Sequence, residues 1–197
     1  ASPDNSDSNC FKEKPTIKVD GHSSSSQKPP LIADYELIRM TGQGSFGEVW
    51  IALDATESPC ALKIIRKGES NETVFWKEFE GVKNYLPVSR SNLGLVTVLH
   101  VGKDPKGEFY YYTMELADNS EKQTEENWEN YTPMSLTAFI HSTKSECRDR
   151  EFEAIAHNLS DGLAHLHENG LVHRDIKPSN VIFVNGQAKL ADIGLVS

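Results

Sequence analysis

The chain has 197 residues, 38% of them hydrophobic, enough to fill the core of one ordinary domain or two small lobes. A formal net charge of -9 argues against a nucleic-acid or anionic-membrane surface as the main partner, because both need clustered Lys and Arg. No apolar run approaches the roughly 20 residues of a membrane helix, and Cys10, Cys60 and Cys147 suit neither a disulfide framework nor a zinc site, so a reducing, cytoplasmic setting is expected.

Residues 1 to 33 are rich in Ser, Asp, Asn and Pro and read as a disordered leader with too little apolar surface to offset the entropy of ordering. Strand-like runs follow at 35–40, 48–53 and 59–65, an antiparallel meander punctuated by glycines. Phe75, Phe79, Val82 and Leu86 recur at helical spacing and predict an amphipathic helix over 71–86. Strands are expected at 95–101 and 108–116. The stretch from Ala117 to Pro133 is crowded with acids and reads as a solvated loop. Phe152, Ile155, Leu159, Leu163 and Leu166 mark a second helix, which Asn169-Gly170 stops. Asn185-Gly186 then joins runs at 181–184 and 187–191 into a hairpin, since both turn positions need positive φ.

Three motifs carry the chemistry. Gly42-Gln43-Gly44-Ser45-Phe46-Gly47-Glu48-Val49 lies between two strands, where residues without a Cβ let backbone N–H groups approach phosphate oxygens. A dinucleotide fold would place the glycines between a strand and a helix, so the strand after Gly47 removes that reading. Lys63 stands inside the apolar run Cys60-Ala61-Leu62-Lys63-Ile64-Ile65, and an ammonium there needs an anionic partner. Glu78 and Glu80 on the following helix are candidates, with Glu78 favoured. Finally, His173-Arg174-Asp175-Ile176-Lys177-Pro178-Ser179-Asn180 precedes Leu190-Ala191-Asp192-Ile193-Gly194. His165, His167 and His173 straddle a helix end and lack a fourth metal ligand, so His173 is expected to pack and hydrogen-bond within its loop.

With these motifs in this order the chain resembles a protein kinase from about residue 35 to 197, most closely the bacterial eukaryotic-type Ser/Thr kinases of planctomycetes and verrucomicrobia. The resemblance implies an α+β bilobal fold: a β-rich small lobe over 34–117, an acidic insertion over 118–133, and the start of a helical lobe over 134–197. It implies ATP and Mg²⁺ as cofactors and a protein Ser or Thr hydroxyl as acceptor. Lys63, oriented by Glu78, would hold the α and β phosphates. Asn180 and Asp192 would hold Mg²⁺, Asp175 would take or orient the hydroxyl proton, and Lys177 would support the γ phosphate. Adenine would sit between Val49 and Ala61 above and Ile182 below, beside Thr41 and the glycine loop, with Met114 as gatekeeper and hinge hydrogen bonds from Glu115, Leu116 and Ala117. Arg174 implies control through a phosphorylated activation loop.

Ile193 stands where most kinases have Phe, and Thr41 where a larger aliphatic residue usually covers adenine. The sequence stops three residues past Asp192-Ile193-Gly194, before any activation segment. The expectation is an incomplete lobe, its Phe152-to-Leu166 stripe uncovered at a cost on the order of 8 to 15 kcal/mol, and a fragment that is inactive alone. A pseudokinase-like ATP-binding or scaffolding module is the alternative. Lys63, Glu78, Asp175, Asn180 and Asp192 all being present disfavours it. A small-molecule phosphotransferase is weakened by Arg174 and the full glycine loop.

Overall fold

The computed structural model describes residues 29–44, 47–68, 72–121, 128–142 and 148–192, with only the backbone at 148 and 149. The chain divides into two units, Ala1–Pro30 and Leu31–Ser197. The expected leader therefore lies almost wholly outside the described residues, as do Ser45, Phe46, Ile193 and Gly194.

Side chains alternate across an extended strand, and in the Leu31–Ser197 unit that alternation decides what each face of the sheet does. Strands β1 (Tyr35–Gly44), β2 (Gly47–Asp54), β3 (Pro59–Arg66), β4 (Val98–Lys103) and β5 (Phe109–Met114) form one antiparallel sheet in the order β1-β2-β3-β5-β4. Along β3, Cys60, Leu62 and Ile64 pack on one face with Ile32, Ala52 and Phe109. Ala61 and Ile65 join the larger core on the opposite face, which is the face Lys63 shares with them. The β1–β2 turn needs its last glycine: Gly47 has φ +109°, and a Cβ there would collide with the Ile64 carbonyl.

Helix α1 (Glu72–Ser89) lays Phe75, Val82 and Tyr85 into that larger core. It runs past its expected end, through Pro87, although the proline has no N–H to give to the preceding turn. Ser89 closes the helix, its buried hydroxyl donating to the Leu86 carbonyl at 2.8 Å and accepting from Val98 N–H at 3.0 Å. The expected strand at 95–101 begins later. Residues 94–96 run instead beside the later hairpin, with Val96 N–H on the Leu190 carbonyl at 2.9 Å and Leu190 N–H on the Gly94 carbonyl at 2.8 Å. Leu95, fully buried, thus joins the sheet lobe to the hairpin.

Helix α2 (Leu136–Ser142) buries none of its residues fully and has no periodic apolar stripe to announce it. Its Phe139 stacks on Phe183 at 5.0 Å between ring centres. Helix α3 (Arg148–Glu168) carries the expected stripe. The stripe is not left bare: Leu166 is fully buried, Ile155 nearly so, and Phe152, Leu159 and Leu163 are partly covered. Strands β6 (Val181–Val184) and β7 (Gln187–Leu190) meet at Asn185 and Gly186, with φ 52° and 73°. The architecture is α+β, an antiparallel sheet lobe with one helix followed by a helical part bearing a hairpin, as expected of a bilobal fold.

Candidate active site

The charged end of the cleft is built by β3 and by the two loops that flank the hairpin. Lys63 is 2% exposed and its Nζ is bonded to Asp192 Oδ1. Burial pulls the Lys63 ammonium down from 10.5 to about 8, with the Asp175 charge opposing that pull and Lys177 adding to it. A short 3₁₀ turn at Pro178–Asn180 brings Asn180 back over Asp175. The Asn180 amide donates to the Asp175 carbonyl and to Asp175 Oδ2, both at 2.8 Å, and Lys177 Nζ reaches the same Oδ2 at 2.7 Å. Those contacts, Lys177 first, hold the Asp175 carboxyl below its ordinary range.

Arg174 and Asp192 both have left-handed backbones, at φ 65° and 59°, a strained state that the surroundings must impose. Around Asp192 two bonds do so. Ala191 N–H donates to the Asn180 carbonyl at 2.8 Å, and the Ala191 carbonyl is 3.0 Å from Nε2 of His173. His173 is 1% exposed, and burial lowers its pKa, leaving the neutral ring to donate that bond. It packs and hydrogen-bonds as expected, and no group of three metal-ligating residues occurs among the described residues.

The other end of the cleft is the segment after β5. Asp118 fixes its exit, N–H on the Phe183 carbonyl at 2.7 Å and carboxylate on the N–H groups of Asn185 and Gly186, each at 2.8 Å. Glu115 turns its carboxylate back to the buried Lys189 at 2.7 Å and to Thr97 N–H at 3.0 Å. The acidic stretch is not simply solvated. Tyr131 is 4% exposed, its hydroxyl donating to the Ala117 carbonyl at 2.8 Å. Arg39 of β1 holds the carbonyls of Trp128 at 2.8 Å and Tyr131 at 3.0 Å, and that of Glu129 as well. Residues 122–127 of the stretch lie outside the described residues.

A cavity of about 160 Å³ joins the two ends. Of the expected residues, Thr41, Val49, Ala61, Lys63, Met114, Glu115, Leu116, Ala117, Asn180, Ile182 and Asp192 line it. Gly42, Gln43, Gly44, Gly47 and Glu48 do not, and Glu48 pairs instead with Arg66 at 2.9 Å. Asp175 and Lys177 reach the cavity through Asn180. The expected Lys63–Glu78 pair is absent, and Asp192 is the partner of Lys63. Glu78 sits half-buried on the inward side of α1, where burial raises its pKa, and it forms no hydrogen bond or ion pair with a described residue. Glu78 shares its helix face with Phe75, Val82 and Tyr85, on the side of the core that Lys63 also faces, but Lys63 is taken by Asp192 in the loop after β7. Tyr131 and Pro133 also line the cavity and escaped the sequence reading, because nothing in an acid-rich stretch marks one aromatic as buried.

A small antiparallel lobe, a helical part, and a cleft that gathers a lysine, two carboxylates and an asparagine at one end define a phosphotransferase architecture. Residues 35–197 match the protein kinase domain, and the chain belongs to the protein kinase family. Among its relatives is a probable CTD kinase subunit alpha homolog of Encephalitozoon cuniculi, 24% identical over 82% of this chain and 43% of that protein. The serine/threonine-protein kinase PrkC of Bacillus subtilis is 26% identical over 83% of this chain and 23% of its own length. PknD of Chlamydia abortus, also a serine/threonine-protein kinase, is 30% identical over 75% and 15% respectively. The chain thus spans less than half the length of these relatives. Among the described residues no helix is long and apolar enough to cross a membrane.

Proposed function

We propose that the full-length protein transfers the γ-phosphoryl group of ATP to Ser or Thr hydroxyls of proteins. The observation that carries this reading is the convergence of Lys63, Asp175, Asn180 and Asp192 at one end of a cavity whose other end is apolar and backed by the 115–117 backbone. Phosphoryl transfer asks mainly for positioning and for cations where negative charge gathers, and this arrangement answers both needs. Lys63 binds the α and β phosphates. Until nucleotide arrives, its pairing with Asp192 keeps a buried ammonium from standing alone.

The donor set suits a hard cation. Asn180 commits its amide nitrogen to Asp175 and so keeps its side-chain oxygen for another partner, beside the Asp192 carboxylate. Asn180 and Asp192 would hold Mg²⁺, which when bound neutralises charge on the phosphates. Asp175, kept ionised by Lys177 and Asn180, accepts the proton of the attacking hydroxyl, and Lys177 supports the phosphoryl group in transit. Lys177 two residues after Asp175, together with relatives named as serine/threonine kinases, supports Ser and Thr as acceptors.

The test is incubation of the full-length protein with labelled Mg-ATP, alone and with a generic protein substrate, followed by phosphoamino-acid analysis. Phosphoserine or phosphothreonine is expected with the parent, and none with Asp175→Asn or Lys63→Met. Equal labelling by parent and variants would overturn the assignment.

A further inference from the structure

The segment from Glu115 to Asp118 uses half of its backbone polar groups inside the protein. Glu115 N–H donates to the Thr97 carbonyl at 3.1 Å, Asp118 N–H to the Phe183 carbonyl at 2.7 Å, and the Ala117 carbonyl accepts the Tyr131 hydroxyl at 2.8 Å. The Glu115 carbonyl, the Ala117 N–H and both backbone groups of Leu116 have no partner among the described residues, and all three residues line the cleft. One acceptor and one donor are what an adenine edge asks for, since its exocyclic amine donates and its N1 accepts. A base with a second amino group at C2, beside N1, brings a further donor and needs a second acceptor.

We propose that Tyr131 sets the nucleobase specificity of this site: with N1 on the Ala117 N–H, the acceptor nearest a 2-amino group is the Ala117 carbonyl, and Tyr131 occupies it. The inference rests on reading the cleft as an ATP site. A carbonyl keeps a second lone pair, but Tyr131 lines the cleft beside Ala117, so a ligand group reaching that oxygen competes with the hydroxyl already bound there. The phenol is held where it is. It is almost fully buried, burial raises its pKa so that it stays a neutral donor, and Arg39 clamps the backbone around it through the carbonyls of Trp128, Glu129 and Tyr131. Arg39 is therefore a positioning residue, tying the strand that leads into the glycine loop to the wall of the base site.

The experiment is calorimetric binding of ATP and of 2-amino-ATP, the triphosphate of 2,6-diaminopurine riboside, to the full-length protein and to its Tyr131→Phe variant. The parent is expected to bind 2-amino-ATP less tightly than ATP, because burying a donor without a partner is costly. Tyr131→Phe, which keeps the ring and frees the carbonyl, is expected to shift the affinity ratio about tenfold toward 2-amino-ATP. The comparison within the parent needs no variant to fold. Equal binding of the two nucleotides by the parent, or an unchanged ratio in Tyr131→Phe, would overturn the specificity role while leaving the ATP site intact. If the parent binds neither nucleotide, the ATP reading fails and this inference falls with it.

Discussion

The two ends of the cleft are held by different kinds of group. At the proposed phosphate end the working parts are charged and amide side chains that pair with one another: Lys63 with Asp192, and Lys177 and Asn180 with Asp175. At the proposed base end they are backbone groups of the 115–118 segment, steadied by Asp118 on the hairpin turn, and the phenol of Tyr131. Charged parts can exchange partners as a highly charged ligand arrives, whereas backbone groups stay where the fold fixes them. One end is therefore built to answer charge, the other to read shape and hydrogen-bond pattern.

That contrast can be broken most forcefully at the phosphate end. Asp175→Asn is expected to lower the rate of phosphoryl transfer by about 10² to 10⁴ while leaving ATP affinity within a few-fold, the two being read by steady-state kinetics and calorimetry. The glycine loop sharpens it next. Gly47→Ala is expected to cost about 2 kcal/mol, because the residue has φ +109° and a Cβ would meet the Ile64 carbonyl. Gly44→Ala, where a Cβ meets open space, is expected to leave thermal melting unchanged.

A smaller effect should come from pH. Lys63 is shifted down to about 8, so the ammonium that attracts phosphate is lost as pH rises through that value instead of near 10.5. ATP affinity is therefore expected to be nearly full one unit below pH 8, about halved at that value and about tenfold weaker one unit above it. Calorimetry across pH would show this decline in the parent and none in Lys63→Met. Smallest is Arg39→Ala, expected to raise KM for ATP about threefold with kcat nearly unchanged, since it loosens the base-site wall and touches no reacting group. An equal loss in kcat would place Arg39 at the wrong end of the cleft.

What could be read beforehand follows the same division. Lys63 announces itself because an ammonium in an apolar strand needs an anionic partner, whereas Asp175, Asn180 and Asp192 were legible through the resemblance of their motifs to those of protein kinases. The hairpin at Asn185-Gly186 and the α3 stripe were legible as well, each resting on local geometry or periodicity. The choice between Glu78 and Asp192 as partner of Lys63 was not legible, because it depends on where α1 sits relative to the sheet, and Glu78 has the right spacing for either outcome. Leu95 and Val96 read as strand, yet they are buried between the sheet lobe and the hairpin, a destination set by tertiary packing. Tyr131 was hidden for a similar reason: its role comes from a hydrogen bond to a residue 14 positions away, in a stretch whose composition suggested only solvent.

The central claim is that a lysine on the sheet and an aspartate beyond the hairpin serve one triphosphate. The most direct measurement is a double-mutant cycle on Mg-ATP binding by the full-length protein, using Lys63→Met, Asp192→Asn and the pair together. Groups sharing one site should couple, so the double variant is expected to depart from the sum of the single losses by more than about 0.5 kcal/mol. Losses that simply add would mean that the two residues act on ATP independently, and the account would be wrong.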